Sequence, residues 1–194
     1  MRAFAWTACL ALAACRPAPS AEPRIYPEKE APPELAAPVE RADAALLVLR
    51  TELLETLTTE LSRGGGAGAV DVCRDIAQEI TASAARGQGV ALGRTSHRLR
   101  NPANAPRGWA REIVDAHAGK KAADAQSYVA DLGDRVGVLR PIGAIEMCSS
   151  CHGGEEALDP LALEKIAAAY PQDQAVGFGV GDLRGWMWAE APKQ

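Results

Sequence analysis

Two thiols and an imidazole stand together at Cys148-Ser149-Ser150-Cys151-His152. At that spacing the thiols lie about one helical turn apart, so each can form a thioether with a porphyrin vinyl group while the adjoining His152 reaches the iron from the same side. The pattern predicts one covalently attached haem c. A zinc half-site would want a second Cys/His pair at matching spacing, and the sequence holds no other CxxC. A disulfide or a thioredoxin-like redox pair has no need of the neighbouring histidine.

The start of the chain agrees with haem attached outside the cytoplasm. Met1 and Arg2 precede an apolar stretch over residues 4–14, too short for a membrane span of about 20 residues. Leu12-Ala13-Ala14-Cys15 then reads as a lipobox, which predicts a lipoprotein signal peptide over 1–14 and lipidation of Cys15. Several acyl chains make a stable anchor where one alone is marginal. An ordinary signal peptide is the alternative, and either exports the chain. Residue 16 is arginine rather than aspartate, so the expected location is the periplasm, anchored at the periplasmic face of the outer membrane.

Cysteine usage then simplifies. Of the five cysteines, Cys9 leaves with the signal, Cys15 takes lipid, Cys148 and Cys151 take haem, and Cys73 remains. An unpaired thiol in an oxidising compartment calls for an explanation. The formal net charge of −4 speaks against nucleic acid or an anionic membrane surface as partner.

The elements that must position these groups follow from periodicity. Residues 15–38 read as a mobile tether, with seven of the thirteen prolines falling within 16–38. The folded domain is expected over 39–191. Val39, Ala42, Leu46, Leu49, Leu53, Leu57 and Leu61 make one apolar face of a long helix over 39–63, for packing or for a homodimer, and Gly64-Gly65-Gly66 should stop it. A second helix over 70–86 puts Cys73, Ile76, Ala77, Ile80 and Ala84 on one face. On spacing alone Cys73 is either a small buried hydrophobe or a functional thiol, and the former is favoured.

Residues 89–95 read as a strand, and the segment from Asn101 to Pro106 as a fixed loop before a helix carrying Trp109, Ile113 and Val114. A short helix is expected over 123–132. Strands are expected over 135–142 and within 175–188, the latter with a turn at Gly179-Val180-Gly181-Asp182 and with Trp186 and Trp188 on one side. Helices first and strands around a haem-bearing loop indicate α+β.

The motifs also resemble a family. Gly93-Arg94-Thr95-Ser96, Arg100-Asn101-Pro102-Ala103-Asn104, the haem motif with Gly153, Tyr170-Pro171-Gln172-Asp173, Gly177-Phe178 and Gly181-Asp182-Leu183-Arg184-Gly185 are similar to PAS-like c-haem sensor domains. Those occur as stand-alone exported cytochromes and as periplasmic input modules of histidine kinases. The resemblance implies a PAS-like antiparallel sheet with N-terminal helices and one c-haem. It further implies axial ligation by the motif histidine, here His152, and by a cysteine of the early helix, which falls on Cys73.

Thiolate ligation would stabilise ferric iron and lower the reduction potential relative to His/Met cytochromes. Competing sixth ligands are Met147, His97, His117 and Met187. Arg94, Arg98 and Arg100 are candidates to pair with haem propionates, since guanidinium binds carboxylate bidentately. Glu155 and Glu156 read as exposed loop. The expected function is a redox or small-ligand sensor that reports to a partner in the envelope, with a periplasmic electron carrier as the alternative. An enzyme is not expected, because no acid–base histidine is convincingly placed. The chain ends at Gln194, soon after the domain, so a fused kinase or transmembrane output is not expected.

Overall fold

The computed structural model describes residues 22–194. The signal peptide, Cys9, Cys15 and the first part of the tether lie outside the described residues. Five antiparallel strands, β1 (Arg24–Pro27), β2 (Ala91–Thr95), β3 (Tyr128–Asp131), β4 (Arg135–Gly143) and β5 (Leu183–Pro192), form one sheet in the order β1-β3-β4-β5-β2. Helices α1 (Ala36–Asp71) and α2 (Ala77–Gln88) precede β2 and cover one face. Helix α3 (Arg111–Ala116) lies on the other, and α4 (Ser149–His152) and α5 (Pro160–Ala169) are inserted between β4 and β5. The architecture is the α+β, PAS-like fold expected from the sequence.

Period-two alternation decides which residues meet α1. Val136 and Val138 of β4 and Met187, Ala189 and Ala191 of β5 form a core with Leu46, Leu49 and Leu53. Gly137, Trp186 and Trp188 turn the other way, where Trp109 lies so close over Gly137 that a β-carbon there would stand 2.8 Å from the indole. The α1 stripe up to Leu53 is thus consumed by the sheet, and Met187 is buried beneath it.

Three expectations are corrected, and one is met in modified form. The tether does not extend to Pro38: β1 is an edge strand paired to β3, and Arg140 clamps the segment through Glu28 at 2.8 Å and Asp43 at 2.8 Å. The domain therefore begins before residue 39, because backbone pairing outweighs a proline-rich composition that β-edges tolerate. The glycine run does break the helix: Gly65 is non-helical at φ 59°, and a second helical stretch follows at once, so that α1 is two helices joined across a kink. In place of a helix over 123–132 there is β3, whose Val129 and Ala130 are buried between β1 and β4. Residues 175–180 form a loop, and the turn at Gly179 to Asp182 leads into β5 without closing a hairpin.

Asp131 ties β3 to both ends of the domain. Its carboxylate accepts from Lys193 at 2.5 Å, from the Gly133 amide at 3.0 Å and from Arg24 at 2.9 Å. These contacts, that of Lys193 first, hold its pKa down at about 2. A folded-state value below the unfolded one of about 3.9 contributes stability fully above the latter, and loses it as pH falls through the former. Chemical denaturation between pH 4 and pH 2 should therefore show the native chain losing stability more steeply than Asp131→Asn, which starts lower at neutral pH.

Candidate functional site

The haem-motif residues sit on the turn before α4 and on α4 itself, and neighbouring backbone holds them. The Gly177 amide donates to the Gly153 carbonyl at 2.7 Å, and that of Phe178 to the His152 carbonyl at 2.9 Å. His152 Nδ1 donates to the Ala175 carbonyl at 2.7 Å. That bond fixes the tautomer and leaves the lone pair on Nε2, which meets only a long contact from Arg184, the arrangement of a histidine able to bind a metal. Burial, with Arg184 and Arg100 nearby, holds the His152 pKa well below the ordinary histidine value, so the ring is neutral.

Arg100 is what keeps this loop together. It is buried, makes an ion pair with the equally buried Asp173 at 3.0 Å, and donates to the carbonyls of Cys151 at 2.6 Å and Ala175 at 3.3 Å. Arg98 is likewise occupied: it donates to the Val176 carbonyl at 2.5 Å and lies over the Phe178 ring at 4.3 Å. Of the three arginines expected to serve propionates, Arg94 alone has no such commitment among the described residues, and it lines a cavity beside α2.

Arg184 belongs to the Gly181–Gly185 motif, and no role for it is legible in the sequence. Its Nη2 lies 3.4 Å from His152 Nε2, and its Nε is buried without a hydrogen-bond partner. Burial, reinforced by Arg100 and Arg94, lowers its pKa to about 10. Nothing in the local pattern marks it, because the absence of a partnering carboxylate is a property of the fold.

The thiols occupy different surroundings. Cys151 is half-buried against Val70, Ala162 and Ile166, with Sγ 3.8 Å from the Gly66 carbonyl, and burial pushes its pKa up. The close approach of Gly66 has a cause: a β-carbon there would stand 2.9 Å from Asp159 Cβ. Asp159 caps α5 through the Leu161 and Ala162 amides and accepts from the Gly66 amide at 3.3 Å. Cys73 lies in a π-helical turn, Val72–Ile76, which re-aims the face expected from regular spacing and leaves Ile76 40% exposed. Cys73 is half-buried and lies within electrostatic reach of Cys151, Arg94 and Tyr170. No three His, Cys, Asp or Glu side chains among the described residues form an ion-sized cage, so Cys73 and the motif do not converge on a bare metal ion.

The other ligand candidates are placed as follows. His117 is buried, its Nδ1 donating to the Ile113 carbonyl at 2.8 Å and its Nε2 accepting from the Tyr128 hydroxyl at 3.3 Å, and it packs edge-on to Trp186 on the α3 side of the sheet. Met147 stays beside the motif, half-buried. His97 adjoins Arg98 and Phe178 with its Nδ1 buried and unpartnered, so it remains near the site. Glu155 and Glu156 are exposed.

The residues fit a haem: two thiols on one turn, an imidazole whose Nε2 carries the lone pair, and a guanidinium with a buried, unsatisfied Nε where a propionate could be received. The family model described as Tll0287-like matches residues 21–192. Among solved structures, that of the cyanobacterial haem protein Tll0287 matches with a TM-score of 0.51 and 22% identity, over 84% of this chain and 98% of that one. No curated protein is detectably similar.

Breaking a buried ion pair by removing one partner costs about 3–5 kcal/mol. Asp173→Asn should lose roughly that much in urea denaturation, whereas Arg74→Gln, on an exposed pair with Asp75, should change stability by less than about 1 kcal/mol.

Proposed function

The chain belongs to the Tll0287-like family, and on that premise we propose that it is an exported, lipid-anchored protein carrying one covalent haem c and acting as a redox or small-ligand sensor. The observation that carries the haem reading is the His152 ring, with Nδ1 spent on the Ala175 carbonyl and Nε2 left beside a partly unpaired Arg184. Cys148 and Cys151 would hold the porphyrin by thioethers, His152 and Cys73 would hold the iron, and Arg184 would receive a propionate. The description of Tll0287 as a haem protein supports this reading. Bound there, the haem supplies a one-electron iron couple and, where an axial position opens, a site for a diatomic gas.

The remaining work falls to the chain. The Ala175 carbonyl maintains the tautomer of His152, and Arg100 keeps the Cys151 carbonyl and the 173–175 loop in register with it. Cys73 stands on the one π-turn among the described residues. Such turns mark places where a helix can shift, often at functional sites, which favours exchange of the cysteine ligand as a switch over the constant ligation of an electron carrier. An enzymatic role is not part of the proposal. Nor is a homodimer through 39–63, because Leu46, Leu49 and Leu53 are spent on the sheet. Export and anchoring rest on residues 1–15.

The test is spectroscopic. Mass spectrometry should show one haem on the native chain and loss of stable attachment in the Cys148→Ala, Cys151→Ala double variant. Cys73→Ser should lose the low-spin ferric optical and EPR signature; an unchanged signature removes Cys73 from the iron. Spectroelectrochemical titration with and without CO or NO should reveal ligation that changes on reduction, and a reversible couple with constant ligation would favour the electron carrier. Cys15→Ala should release the protein from the membrane fraction.

A further inference from the structure

Resting on the haem reading above, we propose that His97 is a further cofactor-binding residue, whose Nδ1–H shares one propionate carboxylate with Arg184. Four buried side-chain polar atoms among the described residues have no hydrogen-bond partner: Thr95 Oγ1, His97 Nδ1, Arg184 Nε and Trp186 Nε1. Buried polar groups are nearly always satisfied, so orphans gathered in one place call for an explanation. All four come from the end of β2 and the start of β5.

The ladder pairs Thr95 with Trp186, and the same antiparallel count carried two residues further sets His97 opposite Arg184. The two chains stay close past the last ladder pair. Ser96 Oγ donates to the Arg184 carbonyl at 2.8 Å, and a β-carbon on Gly185 would collide with the Thr95 carbonyl oxygen. Trp186 is enclosed by the core on the α3 side, whereas Arg184 Nη2 stands 3.4 Å from His152 Nε2, so the outer pair lies at the haem site. Both outer side chains also meet one ring: His97 is edge-on to Phe178 with centroids 5.9 Å apart, and the Arg184 guanidinium carbon is 5.0 Å from the Phe178 centroid.

The other nitrogen of His97 decides where its proton sits. Burial, with Arg98 and Arg184 nearby, holds the His97 pKa below the ordinary histidine value, so the ring is neutral and carries a single N–H. Arg98 Nε, which can only donate, faces Nε2 at 3.5 Å, which assigns the lone pair to Nε2 and the proton to the buried Nδ1. Arg184 has its own need of an acceptor, since the lone pair its Nη2 now meets on His152 is the one a metal would take. One neutral and one cationic N–H donor match an acceptor with two oxygens and one negative charge, and a carboxylate has both. No Asp or Glu side chain among the described residues hydrogen-bonds either atom.

The test compares three variants of the full haem-loaded chain by resonance Raman spectroscopy of the propionate bending modes and by midpoint potential. In His97→Asn the amide N–H falls near the histidine Nδ1 position, in His97→Gln near that of Nε2, and His97→Leu supplies neither. His97→Leu and His97→Gln should shift one propionate band and lower the potential, because a less neutralised carboxylate favours ferric iron; His97→Asn should keep both near native values. Native band and potential in His97→Leu, or a His97→Asn that matches His97→Gln, overturns the proposal, and the second comparison stands if His97→Leu fails to fold. Mass spectrometry of the same samples separates the two levels. A native chain without haem sinks the haem reading and this inference together, whereas a loaded chain whose propionate bands ignore residue 97 sinks this inference alone.

Discussion

A buried guanidinium has five N–H groups and no way to shed its charge, so the chain around it must supply acceptors. Arg100 meets that demand with Asp173 and with the carbonyls of Cys151 and Ala175. These partners come from separate stretches of sequence, and satisfying one side chain brings the strand β2 exit, the motif helix and the 173–175 loop to a common point. Ala175 then serves twice, because the same carbonyl accepts from His152. The orientation of the imidazole thus depends on an ion pair that never touches it.

The thiol side of the site depends on a different accommodation. An unbroken helix through this stretch would pass the motif at a distance set by its side chains. Gly65 and Gly66 remove that spacing, Asp159 enters the gap, and Cys151 comes to lie against the α1 backbone. Beyond it the π-turn at Val72–Ile76 adjusts the direction in which Cys73 leaves the helix. Two irregularities within a dozen residues therefore set where both cysteine-bearing elements stand.

The sheet is the rigid frame for these adjustments. Ala189 and Ala191 let α1 lie close on one face, while Gly137 admits Trp109 on the other. Glu190, buried, is stabilised by Arg107 and by the Trp109 indole N–H at 2.9 Å. Packing of this kind leaves Arg184 at the start of β5 facing His152, with its Nε unsatisfied.

The motif residues Cys148, Cys151 and His152, the long α1 stripe and the alternation of β4 and β5 were legible in the sequence, because each is a relation between near neighbours with a fixed period. Composition misled over residues 24–38 and 128–131, where pairing with distant strands decides the conformation and no local pattern records it. The arginines show the same division. The sequence marked Arg94, Arg98 and Arg100 as candidates for propionates, but only tertiary structure decided that Arg98 and Arg100 are consumed by backbone and Asp173 while Arg94 and Arg184 find no carboxylate partner among the described residues. The physical reason is that a charge's availability depends on what else is buried beside it, and that neighbourhood is assembled from residues dozens of positions apart.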